Sequence, residues 1–91
     1  MLKVRFTNQF KKEYKKALKQ KKPVKKLFSI IEKLAKSEIL PESNKDHSLT
    51  GDFKGCRECH IEPDWLLIYK QNQEELVLQL MRLGSHSDLF G

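Results

Sequence analysis

Residues 53–69 have the sequence FKGCRECHIEPDWLLIY, which predicts two neighbouring strands. Phe53–Ile61 is typical of a strand, and Glu62–Asp64 is typical of a turn around a proline. Trp65–Tyr69 is apolar on both faces of the second strand, which indicates a central position in a sheet. After a short polar turn, a third strand is predicted over Glu75–Leu83. Consecutive strands with short polar connections form an antiparallel meander.

The first 22 residues predict a strand followed by a helix. Leu2–Phe6 alternates apolar and basic residues, as a short half-buried strand does. Thr7 and Asn8 are good N-cap residues for the helix, which is expected to end near Gln20–Lys22. Its apolar residues recur at helical spacing and are Phe10, Tyr14, Ala17 and Leu18.

A second helix is predicted from Pro23 to before Pro41, because its apolar residues follow the i, i+3, i+4, i+7 pattern closely. Two adjacent amphipathic helices must rest their apolar stripes on another element. We therefore expect residues 1–91 to form a single α+β domain in the order strand-helix-helix-strand-strand-strand. The two helices should pack on one face of a small, largely antiparallel sheet.

The charge of the chain is uneven along its length. Residues 1–50 carry 14 Lys and Arg against five Asp and Glu, whereas residues 51–91 carry four against seven. This asymmetry indicates either a basic face that meets a polyanion or a solvated, lysine-rich helix surface. Because no secretory signal and no apolar run of membrane-spanning length are present, we expect a cytoplasmic protein with reduced cysteines and no membrane partner.

Three histidines lie in the second half of the chain, each within a polar or glycine-containing stretch. Imidazole is the only side chain whose unperturbed pKa lies near neutrality, so three of them in a basic protein suggest proton transfer on an anionic substrate such as RNA. The meander should bring polar residues together at its strand ends. The expected cluster is His47, Glu58, His60, Asp64, Arg82 and His86. Its proton carriers, carboxylates and cation suit phosphodiester chemistry.

Each candidate also has a purely structural interpretation. His47 could be a solvated loop residue, His60 a hydrogen-bonded structural residue and Asp64 a turn residue. Arg82 could be half of an ion pair with Glu75 or Glu58. Phe90 could be a core residue. Phe90, in a terminal tail, could alternatively stack on a base. The functional prediction therefore depends on the set rather than on any one residue.

Residues Cys56–His60 match the C-x-x-C-H pattern of covalent haem attachment. We expect no haem, because attachment requires export and the pattern lies in an extended strand. In a strand, residues three apart point to opposite faces, which also weakens a zinc site made of Cys56, Cys59 and two histidines. We expect no metal and no other cofactor.

Lysines dominate the two predicted helices. The residues are Lys11, Lys12, Lys15, Lys16, Lys19, Lys21, Lys22, Lys25 and Lys26. They would neutralise phosphates without reading sequence, and the helices carry few Arg, Asn or Gln side chains for base edges. Contact with an RNA backbone, including that of ribosomal RNA, is therefore favoured over direct reading of DNA. The candidates for this contact are Lys11, Lys12, Lys15 and Lys16.

Three stretches carry a resemblance to a known family. They are residues 45–51 (KDHSLTG), 55–69 (GCRECHIEPDWLLIY) and 82–90 (RLGSHSDLF). In order and spacing they closely resemble the YafQ branch of the RelE-like toxins of bacterial toxin–antitoxin systems. The N-terminal half is similar only in its strand-helix-helix layout and basic character. The resemblance implies a RelE-like fold.

The resemblance also implies a ribosome-dependent mRNA endonuclease that a cognate antitoxin neutralises. Its partners would then be the antitoxin, mRNA, the ribosome and ribosomal RNA. The family's catalytic residues correspond here to His47, His60, Asp64 and His86, and its terminal aromatic residue, which binds substrate, corresponds to Phe90. Glu58 stands where relatives may carry Asp, and Cys56 and Cys59 lie outside the pattern.

The expected reaction is metal-independent transesterification, in which the RNA 2′-hydroxyl attacks its adjacent phosphate. His86 is the expected general acid, and either Asp64 or His60 the base. Alternatively His47 and His60 hold the phosphate, with Arg57 or Arg82 as further donors, while Phe90 stacks on a base. Two other classes remain open, a non-catalytic RNA- or ribosome-binding module and a zinc-binding protein.

Overall fold

The structure is a computed structural model that describes residues 1–91. It contains five strands and three helices. In chain order they are β1 (Lys3–Phe6), α1 (Asn8–Lys19), α2 (Val24–Ala35), β2 (His47–Ser48), β3 (Arg57–Glu62), β4 (Trp65–Asn72), β5 (Val77–Gly84) and α3 (His86–Phe90). Single 3₁₀ turns lie at Glu42–Asn44 and Gly51–Phe53.

The five strands form one sheet in the order β1-β5-β4-β3-β2. β1 pairs with β5 in parallel, and every other pair is antiparallel. The α+β class, the largely antiparallel sheet and the central position of β4 are therefore confirmed. No helix has the length and apolar composition that crossing a membrane would require.

Residues 65–69 of β4 are all buried, and alternate residues enter two different hydrophobic clusters. Leu67 and Tyr69 pack in the larger cluster, together with the apolar residues of α1 and α2. Leu66 and Ile68 pack in a smaller cluster on the other face, together with Cys56 and Leu89. The two N-terminal helices thus cover one face of the sheet, as predicted. The other face is covered by α3 and the loop before β3.

Thr7 caps α1 as expected and also ties the helix to the sheet. Its Oγ1 accepts a hydrogen bond from the backbone N–H of Phe10 (3.0 Å) and donates one to the carbonyl of Met81 (2.8 Å). The helix ends at Lys19, with Gln20 as its C-cap. Pro23 was expected to be the first residue of the second helix but is its N-cap, since its ψ of 76° is not helical.

Two predicted strand starts are wrong by a few residues. The strand expected from Phe53 begins at Arg57, because Gly51–Phe53 forms a 3₁₀ turn and Gly55 has a φ of +91°, a conformation that favours glycine. The strand expected from Glu75 begins at Val77. The chain before Val77 is held in a turn by the Asn72 side-chain oxygen, which accepts two backbone N–H bonds.

The sequence patterns missed β2 and α3. β2 has only two residues, both exposed, and so carries no apolar alternation. α3 has five residues, too few for a helical period. Its start is nevertheless well defined by a capping box, in which Ser85 and Asp88 exchange side-chain and backbone hydrogen bonds.

Candidate active site

The candidate site lies where the edge of the sheet formed by β2 and β3 meets the start of α3. Glu58 and His60 share one face of β3, as predicted, because strand side chains alternate. His47 lies opposite Glu58 in the register of β2 with β3. The ring centroids of His60 and His86 are 5.5 Å apart. The three histidines expected to converge therefore share one site.

Glu58 is buried between two of these imidazoles. Its Oε1 lies 3.5 Å from Nε2 of His47 and 3.8 Å from Nε2 of His60, and the residue is only 4% exposed. Its other oxygen, Oε2, is buried and accepts no hydrogen bond from the protein. A buried carboxylate needs hydrogen bonds or compensating charge, and here the two imidazoles lie beside Oε1 while Oε2 is left without a partner.

Asp64 holds His86 through two hydrogen bonds to the same carboxylate oxygen. Oδ1 accepts from the His86 backbone N–H (2.9 Å) and from its Nδ1 (2.7 Å). These bonds, the backbone bond foremost, lower the pKa of Asp64. An ionised carboxylate only accepts, so Nδ1 carries a proton and Nε2 is the nitrogen left for a substrate. The His86 side chain is 54% exposed, which makes that nitrogen accessible.

Gly84 allows the chain to turn tightly into α3. A Cβ at this position would lie 2.9 Å from Cβ of Asp88, which is too close for two carbon atoms. Asp88 accepts from the backbone N–H of Ser85 (3.0 Å), and this bond is the main reason why the pKa of Asp88 is lowered. Gly84 and the capping box together fix where His86 begins the helix.

Phe90 lies at the end of α3 and is half exposed, so it is not the core residue of the structural alternative. Its ring meets that of Phe53 edge-on, with centroids 5.9 Å apart. The adjacent Leu89 is buried in the smaller cluster and anchors the helix. An exposed ring on an anchored helix retains a free face for stacking.

The two arginines expected at the site are engaged elsewhere. Arg82 donates from Nε and Nη2 to the two carboxylate oxygens of Glu13, both at 3.0 Å. It thus forms an ion pair, but with α1 rather than with Glu75 or Glu58. Arg57 lies next to Glu58 in β3 and therefore on the opposite face, where its Nε donates to Asp46 (3.2 Å). The expected grouping of Arg82 with the histidines is therefore not observed.

The four candidate lysines of α1 separate into two pairs. Lys12 and Lys16 line a shallow pocket with Arg82 and Asp88, close to α3, and Lys16 Nζ lies 3.6 Å from Asp88 Oδ1. Lys11 and Lys15 line a different, apolar groove between α1 and α2. Residues four apart share a helix face, which explains both pairs.

The two cysteines cannot bind one metal ion, because they are buried in separate clusters. Burial also raises the pKa of the Cys59 thiol to about 12. A different group is better placed as metal ligands: single ligand atoms of Glu58, His60 and His86 all lie within 4.8 Å of one another. Imidazole and carboxylate ligands of this kind suit a transition-metal ion.

Two structural features of the site were not anticipated. Asn44 donates from Nδ2 to the carbonyl of His60 (2.7 Å), which extends the support of β3 beyond the short β2. Asp46 accepts from Tyr69 Oη (2.6 Å) and from Arg57. The only sequence signal for the structural role of Asp46 was its position next to His47.

Comparison with known proteins places the chain among the bacterial toxins of type II toxin–antitoxin systems, since a sequence model of such a family matches residues 2–91. The chain belongs to that family, YafQ. It is 39% identical over 89 residues to the mRNA interferase toxin YafQ of Escherichia coli K12, covering 97% of this chain and 95% of the relative.

Solved structures agree with this assignment. A metal-bound toxin from Helicobacter pylori superposes with a TM-score of 0.93 at 41% identity, covering 99% of this chain and 100% of that one. YafQ in the E. coli DinJ–YafQ complex superposes with a TM-score of 0.90 at 38% identity, covering 100% of both chains. These values confirm the recognised family and its fold.

The two hydrogen bonds from His86 to Asp64 can be tested through the carboxyl pKa of Asp64. In His86→Ala the imidazole is lost but the backbone N–H remains. We expect the carboxyl pKa of Asp64 to rise in this variant yet stay below the ordinary value of an aspartate, because the backbone bond is the larger cause. A carbon-detected NMR titration measures this. Asp88, whose carboxyl is held by Ser85, serves as the internal control and should not move. No change at Asp64, or a full return to its ordinary value, would contradict the geometry.

Proposed function

We propose that this protein is the toxin of a toxin–antitoxin pair and that it acts as an endoribonuclease on mRNA. The E. coli relative at 39% identity is named an mRNA interferase. The observation that carries the proposal is the convergence of His60 and His86, with ring centroids 5.5 Å apart, beside the buried carboxylate of Glu58. Two imidazoles at one site can supply both the base and the acid that RNA cleavage requires.

In the proposed reaction the 2′-hydroxyl gives its proton to His60, and the 2′-oxygen forms a bond to phosphorus. The bond from phosphorus to the 5′-oxygen breaks, and His86 Nε2 protonates the leaving oxygen. The products are a 2′,3′-cyclic phosphate and a 5′-hydroxyl. His86 suits the acid role because its Nδ1 is held by Asp64, which leaves Nε2 free. The chain itself supplies the proton carriers, so we propose that the reaction needs no metal.

The remaining residues then have supporting roles. Asp64, with its lowered pKa and two accepted hydrogen bonds, is a weak base and is better suited to orient His86. Of the two bases considered from the sequence, His60 is therefore favoured. His47, at the exposed edge of the site beside Glu58, is placed to hold the phosphate. Phe90 offers its exposed ring for stacking on a base near the cut.

We further propose that the substrate is mRNA on the ribosome, with Lys12 and Lys16 in contact with RNA phosphates. These two lysines lie beside α3, whose first residue is His86, so one RNA could touch both. Arg82 would join them only by exchanging its Glu13 partner for phosphate. Such contacts position the substrate without selecting its sequence.

The antitoxin is proposed to occupy the groove between α1 and α2. The relative from E. coli is known as part of a DinJ–YafQ complex. The groove has a volume of about 540 Å³ and is lined mainly by apolar side chains. A row of aromatic contacts follows it, in the order Phe6, Phe10, Tyr14 and Phe28. Because Lys11 and Lys15 also line it, the expected occupant is an amphipathic antitoxin segment with acidic residues beside its apolar face.

His86→Ala should slow RNA cleavage by about 10²- to 10⁴-fold, since it removes the proposed general acid. The measurement is the single-turnover cleavage rate of an mRNA on translating ribosomes, with the same RNA free in solution for comparison. Affinity for ribosomes should stay unchanged. Ser87→Ala, the next exposed position on α3, is the matched control. Full activity of His86→Ala would refute the acid role.

The two lysine pairs give a second test. Replacing Lys12 and Lys16 with Gln should weaken ribosome binding and reduce the slope of log K against log salt by up to about 2, because two phosphate contacts are lost. Replacing Lys11 and Lys15 should leave that slope unchanged and weaken binding of the antitoxin. Affinity measurements across a salt series check both. If replacing either pair of lysines weakened ribosome binding equally, the assignment of one pair to RNA and the other to the antitoxin would be contradicted.

A non-catalytic RNA- or ribosome-binding module is the alternative that the lysine-rich α1 favours. It needs the lysines but none of the histidines. Growth arrest that persists when His47, His60 and His86 are all replaced by Ala would support the module. Loss of arrest in the folded triple variant would support the nuclease.

A further inference from the structure

A second polar cluster lies on the face of the sheet opposite to the candidate active site. Asp46 Oδ1 accepts from Tyr69 Oη at 2.6 Å and from Arg57 Nε at 3.2 Å. Arg57 Nη1 also donates to Ser48 Oγ at 2.9 Å. One guanidinium therefore binds the two residues that flank His47 in sequence.

The strand that carries His47 is short, and the chain is anchored after it by Leu49, whose N–H donates to the Cys56 carbonyl. β2 has two residues, pairs only with β3, and is exposed along its whole length. The His47 side chain itself is half exposed, with Nδ1 2.7 Å from the carbonyl of Lys45 and Nε2 3.5 Å from Glu58. Lys45 adopts a left-handed conformation with a φ of 49°, which non-glycine residues rarely adopt without support. A short, exposed segment of this kind needs further contacts to hold an imidazole in one place.

Tyr69 provides the rigid end of the cluster. It lies in the central strand β4, is completely buried among the core residues, and stands opposite Arg57 in the register of β3 with β4. A buried hydroxyl requires a hydrogen-bond partner, and Asp46 is the partner it has. The hydrogen bond from Tyr69 to Asp46 thus connects the core to the residue that precedes His47.

We propose that Tyr69, Asp46 and Arg57 are positioning residues that hold the His47 imidazole against Glu58. They act from behind the sheet and touch neither substrate nor the reacting atoms. Arg57, expected from the sequence to donate to a phosphate, serves the site through Asp46 and Ser48 instead. The consequence for activity rests on the proposed nuclease function. The consequence for the His47 ring does not.

The first test uses Tyr69→Phe, which removes only the hydroxyl and keeps the ring in the core. We expect kcat for RNA cleavage to fall by up to about 10²-fold with little change in KM, because a displaced phosphate ligand weakens the transition state more than binding. The imidazole ¹H–¹⁵N spectrum should show one set of His47 ring signals in the wild type, with Nδ1–H bonded to the Lys45 carbonyl, and signals averaged over several ring orientations in the variant. The His60 and His86 signals should stay unchanged.

Two further variants separate positioning from general destabilisation. Asp46→Asn keeps a side-chain oxygen for Tyr69 and should retain most of the activity and the His47 signal, whereas Asp46→Ala should lose both. Ile30→Val is a mild core change in α2 and should leave the His47 signal and kcat as in the wild type. A loss with Ile30→Val as large as that with Tyr69→Phe would overturn the proposal, since stability alone would then explain both.

The outcomes distinguish this proposal from the nuclease function. If the wild type cleaves RNA while Tyr69→Phe and Asp46→Ala leave kcat and the His47 spectrum unchanged, the positioning role is wrong. If the wild type cleaves no RNA, the nuclease function fails, and the His47 ring signals of the two variants still decide whether the cluster holds the ring.

Discussion

A central strand buried on both faces is the constraint from which the rest of this structure follows. Leu67 and Tyr69 of β4 need cover on one side, and the helix pair α1–α2 provides it. Leu66 and Ile68 need cover on the other, where Leu89 of α3 packs. Fully burying a leucine or isoleucine stabilises a fold by roughly 1.5–3 kcal/mol, so neither face can be left open. Helix α3, which covers this second face, places His86 close to His60.

Because side chains of a strand alternate between the two faces of the sheet, its polar groups also divide between these faces. On the face covered by α3, Glu58 gathers His47 and His60 around a carboxylate that lacks a full set of hydrogen bonds. On the other face, Asp46 Oδ1 accepts hydrogen bonds from Tyr69 and Arg57, which connect the start of the edge strand β2 to β4 and β3. An unsatisfied buried acceptor such as Glu58 Oε2 favours a ligand group that can donate to it, whereas a hydrogen-bonded cluster favours a fixed geometry.

Much of the fold was predictable because its signals are periodic. The apolar spacing of α1 and α2 and the doubly apolar run of β4 identified the layers, and the turn residues identified the meander. β2 and α3 escaped prediction because two and five residues are too few to show a period. They form from contacts with distant segments, such as the pairing of His47 with Glu58.

The candidate site was predictable in part, through the resemblance rather than through periodicity. The three stretches that resemble the family identified His47, His60, Asp64 and His86, and the structure brings these residues to one region. The partners of the arginines were not predictable. Arg82 binds Glu13, 69 positions away in sequence, and Arg57 binds Asp46 across the sheet edge. Nothing in local sequence reports which carboxylate a long cationic side chain will meet.

The central claim is that these imidazoles cleave RNA by using its own 2′-hydroxyl. It is tested most directly with an mRNA that carries a single 2′-deoxyribose on the 5′ side of the scissile phosphate, in a single-turnover reaction on programmed ribosomes. We expect no cleavage at that site, while the all-ribose control yields a 2′,3′-cyclic phosphate and a 5′-hydroxyl. Cleavage of the deoxy-substituted message at the rate of the control would contradict it.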